Sequence, residues 1–293
     1  MLACALSIFA IVALIATELV TRSMPTLKLF GWKFFVGTGW NPVTNDFGAL
    51  PFVYGTLVSS IVALVIAVPL AVGVAVFLTE MCPKSLRGIL SFLTELLAAI
   101  PSVVYGLWAI FVLVPLLRSY VNPVLIAGLS WTGLFTRPDY GVGMFAAGVI
   151  LSIMVLPIIS SLTREVMSAV PHSQREAVLA LGATRWEMIR MGVLRNARIG
   201  IVGSIILGLG RALGETMAVA MVIGNSPTIS HSLLAPAATM ASVIANEYSE
   251  ATGTYLTALT EIGLALFIVT IIVNILARML VWAVTRGAPA RVA

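Results

Sequence analysis

The chain has 293 residues, 60% of them hydrophobic and 10% charged, with 17 Lys and Arg against 12 Asp and Glu and a mean hydropathy of +1.07. Soluble domains carry about 25% charged residues, so this balance excludes a soluble enzyme or binding module and indicates an integral membrane protein. The basic excess lies beside apolar segments rather than in a soluble patch, which sets nucleic acid aside; Cys4 and Cys82, with no CxxC spacing, support neither a disulfide framework nor a metal site.

A crossing needs about 20 apolar residues. Six segments qualify: 4–20, 52–78, 89–117, 144–162, 199–224 and 262–284. The first reads as an anchor helix, since no basic residue precedes it and no small-x-small cleavage site follows. Pro69 and Pro101 fall inside the second and third segments, where kinks are expected and neighbouring helices satisfy the freed carbonyls. The 121–143 connection is punctuated by Pro and Gly. The 225–261 connection has no Lys or Arg, and its apolar stretch 233–245 is too short to cross, so it reads as an outer loop with a partly embedded helix. Lys and Arg number eleven over the 79–88 and 163–198 loops and the C-terminal end, against five on the opposite side, with Arg211 alone mid-span. Basic loops stay cytoplasmic, so both termini are expected in the cytoplasm.

Residues 171–198, PHSQREAVLALGATRWEMIRMGVLRNAR, are punctuated as two short helices. Ser173 with Glu176, and Thr184 with Glu187, have capping-box spacing, and Gly182 suits the left-handed residue that ends one helix before the next begins. Ala177, Ala180 and Leu181 then share a face of the first helix, and Trp186, Ile189, Arg190 and Val193 a face of the second. By composition alone such a pair would also suit a lipid surface, arginines towards the headgroups. The spacing of Glu176, Ala177 and Gly182 resembles the EAA coupling loop of ABC-importer permeases. That resemblance implies that the loop, inside the cytoplasmic segment 163–198, docks into a cleft on a separate ATPase subunit, its small residues permitting close approach. The chain departs from the family pattern at Val178, Gly192 and Leu194-Arg195.

The string GLGRALGETMAVAMVIG, residues 208–224, sets an arginine and a glutamate in an apolar run. A charge near the bilayer centre costs at least about 2.5 kcal/mol and usually marks a pathway or a paired network. A continuous helix over 199–224 puts Arg211 near the midplane and Glu215, four residues on, on nearly the same face. Gly200, Ser204, Gly208 and Ala212 form one stripe of small residues, and Gly210, Gly214 and Ala218 a second; both permit close helix approach. Two readings follow. Either Arg211 and Glu215 neutralise one another and pin a neighbouring helix, or Arg211 offers a planar donor fork to a passing oxyanion while Glu215 holds the fork and keeps binding weak enough for release.

The longer string GLGRALGETMAVAMVIGN, together with FLTEMCPKSLRG, IPSVVYGLW and LTALTEIGLALFIVTIIVN, resembles the PstC-type permease family of bacterial phosphate-specific ABC importers rather than its PstA-type sister. The resemblance implies an all-α integral membrane protein with six transmembrane helices in the type I, MetI-like permease fold, one domain over 1–293 in the bacterial inner membrane. It ties Arg211 and Glu215 to phosphate passage. It also implies a dimeric ABC ATPase, a PstA-type second permease subunit and an extracytoplasmic phosphate-binding protein as partners, besides membrane lipid. No phosphate-cradling GxxxxGK[ST] loop is present, so ATP hydrolysis belongs to another subunit. No catalytic set or cofactor motif is expected, and His172 and His231 lack ligand partners nearby in sequence. A stand-alone ion-coupled carrier or channel for an anion, or an ABC permease for another oxyanion, is the alternative. Glu18 and Glu95 read as interface or packing residues, and Arg137 with Asp139 as a turn-stabilising pair.

Overall fold

The computed structural model describes residues 2–285. Its principal helices are α1 (Leu2–Phe30), α2 (Leu50–Val76, prolonged by a π-helical turn, Phe77–Met81), α3 (Lys84–Ala99), α4 (Ser102–Thr132, α- and π-helical pieces in series closed by a 3-10 turn), α5 (Met144–Ser168), α6 (His172–Ala180), α7 (Arg185–Gly214), α8 (Met217–Val222), α9 (Met240–Glu247) and α10 (Gly253–Thr285). Among the described residues six helices are long and apolar enough to cross a bilayer: α1, α2, α4, α5, α7 and α10.

Four of the predicted segments shift, each for a local reason. The first helix continues to Phe30 because its polar residues find partners: Glu18 and Arg22 pair at 2.6 Å one turn apart, and Thr26 Oγ1 meets Thr257 Oγ1 at 2.5 Å. The third crossing is not 89–117. Pro101 ends a helix instead of kinking one, since proline pushes the residue before it out of the helical region and Ile100 sits at ψ 130. Lys84–Ala99 is therefore a separate helix and the crossing begins at Ser102, so Glu95 lies outside any span and pairs with Arg164 of α5 at 2.8 Å. The fifth helix runs Arg185–Gly214, not 199–224. The sixth begins at Gly253, and the polar residues in its first turns are satisfied within the helix: Thr257 and Thr260 donate to carbonyls one turn back, Thr254 O and Leu256 O, both at 2.9 Å. Arg286 and Arg291, counted above towards a basic C-terminal end, lie outside the described residues.

The chain divides into two compact units, one from the chain up to Ser59 with Gly106–Gly148 and Gly214–Ile272, the other from Ser60–Tyr105, Val149–Leu213 and the chain from Val273. The first unit is built on an aromatic core. A small hairpin pairs Trp40 with Phe47, and the Trp40 ring packs edge-on against Phe52 at 4.9 Å. Phe34, Met240, Leu259 and Ile262 close round them, fully or almost fully buried. A short helix does form where one was expected in 233–245: α9, over Met240–Glu247, is started by a Thr239–Ser242 capping box and anchored where Met240 N donates to Thr56 Oγ1 at 3.0 Å. Asp139 stabilises its turn, but not through Arg137: it accepts from Asn122 Nδ2 at 2.9 Å and from the Gly141 amide at 2.8 Å.

The second unit packs α7 on α5 through one of the two predicted stripes. A Cβ at Gly200 would stand 2.3 Å from the Val166 side chain, and one at Gly208 would stand 2.7 Å from Ile159. Between them Ser204 shares a 2.8 Å hydrogen bond with Thr163, and Ala212 is buried with Val155 and Ile159. Small residues every fourth position thus bring two backbones together where bulk would hold them apart.

Candidate functional site

The charged end of the fifth span is discontinuous. α7 stops at Gly214, Glu215 and Thr216 are not helical, and α8 restarts at Met217. Glycines at 210 and 214 weaken the last turns, and the Thr216 hydroxyl donates to Gly214 O at 3.2 Å, taking a carbonyl that a continuing helix would use. The expected arrangement of Arg211 and Glu215 on one helix face therefore does not form. Arg211, on the last turn of α7, is exposed, and Glu215 is half-buried in the break. Among the described residues neither has a hydrogen bond or ion-pair partner. Mutual neutralisation, the first of the two readings, is absent.

The surface round Arg211 is bare. Leu207, one turn earlier, is 61% exposed, and apart from the adjacent residues and the helix's own backbone nothing described comes within 4 Å of where a Cβ at Gly210 or Gly214 would stand. The stripe of Gly200, Ser204, Gly208 and Ala212 packs against α5, whereas Gly210 and Gly214 leave the guanidinium uncovered. Tyr105, in the same compact unit as Arg211, is a buried phenol whose hydroxyl donates to Leu97 O at 2.8 Å.

The loop between the fourth and fifth spans is one helix and a turn. α6 begins at His172 with Pro171 as its cap residue, and the predicted Ser173–Glu176 box does not form; proline's fixed φ presets the entry two residues earlier, which puts Ser173 inside the helix. Gly182 adopts φ +83, the left-handed conformation expected of it, and its amide donates to Leu179 O at 3.0 Å. The Thr184–Glu187 box forms fully: Thr184 N donates to Glu187 Oε2 at 2.7 Å and Glu187 N to Thr184 Oγ1 at 3.3 Å. From there the second short helix is the start of α7 itself. A π-helical stretch, Met188–Leu194, changes its phase, so Ile189 and Val193 are buried while Trp186 and Arg190, expected on the same face, are exposed. Glu176, Ala177, Ala180 and Leu181 are all exposed, Leu181 by 88%, which leaves one face of α6 open. A cavity of about 780 Å³ lies at the start of α6, lined by Val170, Pro171 and Gln174 on one side and Asn196, Ala197 and Gly200 on the other.

Two features escaped the reading of the sequence. Arg175, counted there only as a basic residue, is 9% exposed and donates to Glu80 at 2.9 Å, a partner 95 positions away that no local pattern announces. Glu261, within α10, is fully buried with neither carboxylate oxygen hydrogen-bonded. Its only signal was a charge in an apolar run, which in a membrane span marks a candidate functional position.

The family described as binding-protein-dependent transport system inner membrane component matches residues 67–286. The chain is 46% identical to the phosphate transport system permease protein PstC of Haemophilus influenzae, over 94% of this chain and 89% of that one. It is 47% identical to PstC of Xylella fastidiosa, over 95% and 88%, and 42% identical to PstC 2 of Mycobacterium tuberculosis, over 91% and 85%. Among solved structures, a bacterial ABC transporter involved in import of the polysaccharide alginate superposes with a TM-score of 0.64 at 19% identity, covering 97% of this chain and 96% of that one. The MetNI methionine transporter, in an inward-facing conformation, gives 0.55 at 21% identity over 79% and 92%. At these identities the structures establish the fold, that of ABC-importer permeases. With the family matched over most of its length and relatives above 40% identical along nearly all of it, the chain belongs to the binding-protein-dependent transport system inner membrane components, among the PstC permeases of phosphate transport systems.

Proposed function

We propose that this chain is the membrane-spanning subunit through which an ATP-driven importer passes inorganic phosphate, and that Arg211 meets the phosphate within the bilayer. The observation that carries the role of Arg211 is its environment: an exposed guanidinium with no hydrogen-bond or ion-pair partner among the described residues, flanked by glycines that leave it uncovered. A planar donor fork binds an oxyanion through paired hydrogen bonds, and a fork free of a carboxylate is available to do so. Glu215, in the adjoining break, repels the same anion and keeps residence short, as passage requires both entry and release.

The chain has no nucleotide-binding loop, so the energy comes from a separate ATPase. Its dimer receives the open face of α6, where Glu176 and Ala177 are exposed and Gly182 ends the helix. Closure of the ATPase on ATP moves α6, the spans follow, and Arg211 is presented to one side of the membrane and then the other. A PstA-type subunit completes the conduit and an extracytoplasmic phosphate-binding protein delivers the anion. The chain acts as one permease domain with α6 and both termini in the cytoplasm, in keeping with eleven basic residues on that side against five opposite. ATP-dependent uptake of labelled phosphate, sulfate and molybdate into vesicles holding the whole importer tests the reading. Phosphate is expected to accumulate and the others not; equal uptake of sulfate would overturn the assignment of substrate.

A further inference from the structure

Arg175 is the first-helix residue of the coupling loop that turns inward. Its Nη2 donates to Glu80 Oε1 at 2.9 Å and to Met167 O at 2.9 Å, its Nε donates to Glu80 Oε1 at 3.2 Å, and its Nη1 donates to Val170 O. One side chain thus joins three segments: the π-helical turn Phe77–Met81 that ends α2, the chain leaving the C-terminal end of α5, and α6 itself. The side chain of Glu80 is 8% exposed and that of Arg175 11%, so water replaces none of these bonds at low cost. The two carbonyls lie at the end of α5, where peptide dipoles and unsatisfied acceptors favour a cation.

Beside Arg175, the inward side of α6 carries the half-buried Gln174, whose Oε1 accepts no hydrogen bond among the described residues, and an apolar contact at Val178. Val178 packs against a cluster of Ala75, Met167, Met188, Ile189 and Val193. Apolar contact holds surfaces together but has no direction, so it lets a short helix slide or roll. A guanidinium fork held by a carboxylate and two carbonyls fixes both rotation and register. We propose that Arg175 is a positioning residue which fastens the coupling helix to the ends of the second and fourth spans, so that displacement of α6 by the ATPase moves those spans with it. The proposal rests on the docking of α6 given above.

The test uses the assembled importer in vesicles, with its ATPase, second permease and binding protein. Two quantities are read: phosphate imported per ATP hydrolysed, and cross-linking of a Leu181→Cys thiol on the exposed face of α6 to the ATPase. Arg175→Gln is expected to lower the import ratio at least about tenfold while ATP hydrolysis continues, because the fork and its charge are both lost. Arg175→Lys, which keeps the charge without the fork, falls between this variant and the parent. Glu80→Gln, which keeps an oxygen acceptor, loses about two- to threefold, and Glu80→Ala loses more. Arg87→Gln is the control: Arg87 donates to Thr79 O at 2.7 Å on the same π turn and has no hydrogen bond to α6 among the described residues, and its loss leaves the ratio unchanged. A parental ratio in Arg175→Gln overturns the proposal. Should that variant not assemble, a parental ratio in Glu80→Ala does so equally. Absence of the Leu181→Cys cross-link in the otherwise unaltered importer overturns the docking reading instead, which separates the two failures.

Discussion

Arg175 and Arg211 carry the same guanidinium in the same chain and are treated in opposite ways. Arg175 is buried, and a carboxylate and two carbonyls take up its donors. Arg211 is exposed and pairs with nothing among the described residues, although a glutamate stands four positions along. The difference lies in the backbone. Around Arg175 three segments converge, so burial and pairing arrive together; at Arg211 the helix ends, Glu215 leaves the helical face, and glycines withhold any cover. A saturated arginine can only hold parts together, whereas an unsaturated one in a membrane span retains the capacity to bind an anion.

The sharpest way to break this contrast is to remove the free guanidinium. Arg211→Leu is expected to abolish uptake of labelled phosphate while the complex still purifies with all its subunits, since no described residue depends on Arg211 for pairing. Normal uptake would show that the anion passes elsewhere. A second test contrasts the two glycine faces of α7. Gly208→Leu drives bulk into Ile159 and Val155 and should lower the stability of the purified importer by about 1–3 kcal/mol, whereas Gly210→Ala, on the open face, should stay within about 0.5 kcal/mol. Thermal unfolding of both variants reads the difference directly, and equal effects would mean that α7 packs by another face.

Smaller effects belong to the coupling turn. Gly182→Val forces a branched side chain into φ +83, at a cost of about 1–2 kcal/mol, with space available around it but not backbone freedom. ATP hydrolysis stimulated by the phosphate-loaded binding protein should fall in this variant, and unchanged stimulation would separate the turn from coupling. Thr184→Ala removes a cap worth about 1 kcal/mol and should lower thermal stability slightly, with uptake retained.

What the sequence made legible follows the range of the interactions involved. The six apolar segments, the left-handed Gly182, the Thr184–Glu187 box and the small stripe facing α5 depend on neighbours within a few residues, and their patterns are visible along the chain. Pro101 was visible too, but as a kink; that it ends α3 depends on the two flanking stretches packing as separate helices. The break after Gly214 was hidden because GETM scans as a continuous apolar face with one charge, while the glycines and the Thr216 hydroxyl decide otherwise. The bond between Arg175 and Glu80 joins residues 95 positions apart, and nothing in either local sequence identifies the other as its partner.

The central claim is that the bare glycine face beside Arg211 opens onto the path taken by phosphate. The measurement that tests it most directly is labelling of a Gly214→Cys thiol, after Cys4 and Cys82 are replaced by serine, with a membrane-impermeant charged thiol reagent in the transporting importer. Labelling in at least one stage of the ATP cycle, slowed by phosphate delivered on its binding protein, is the expected result. A thiol that stays unlabelled from both sides at every stage, in an importer that still transports, would contradict it.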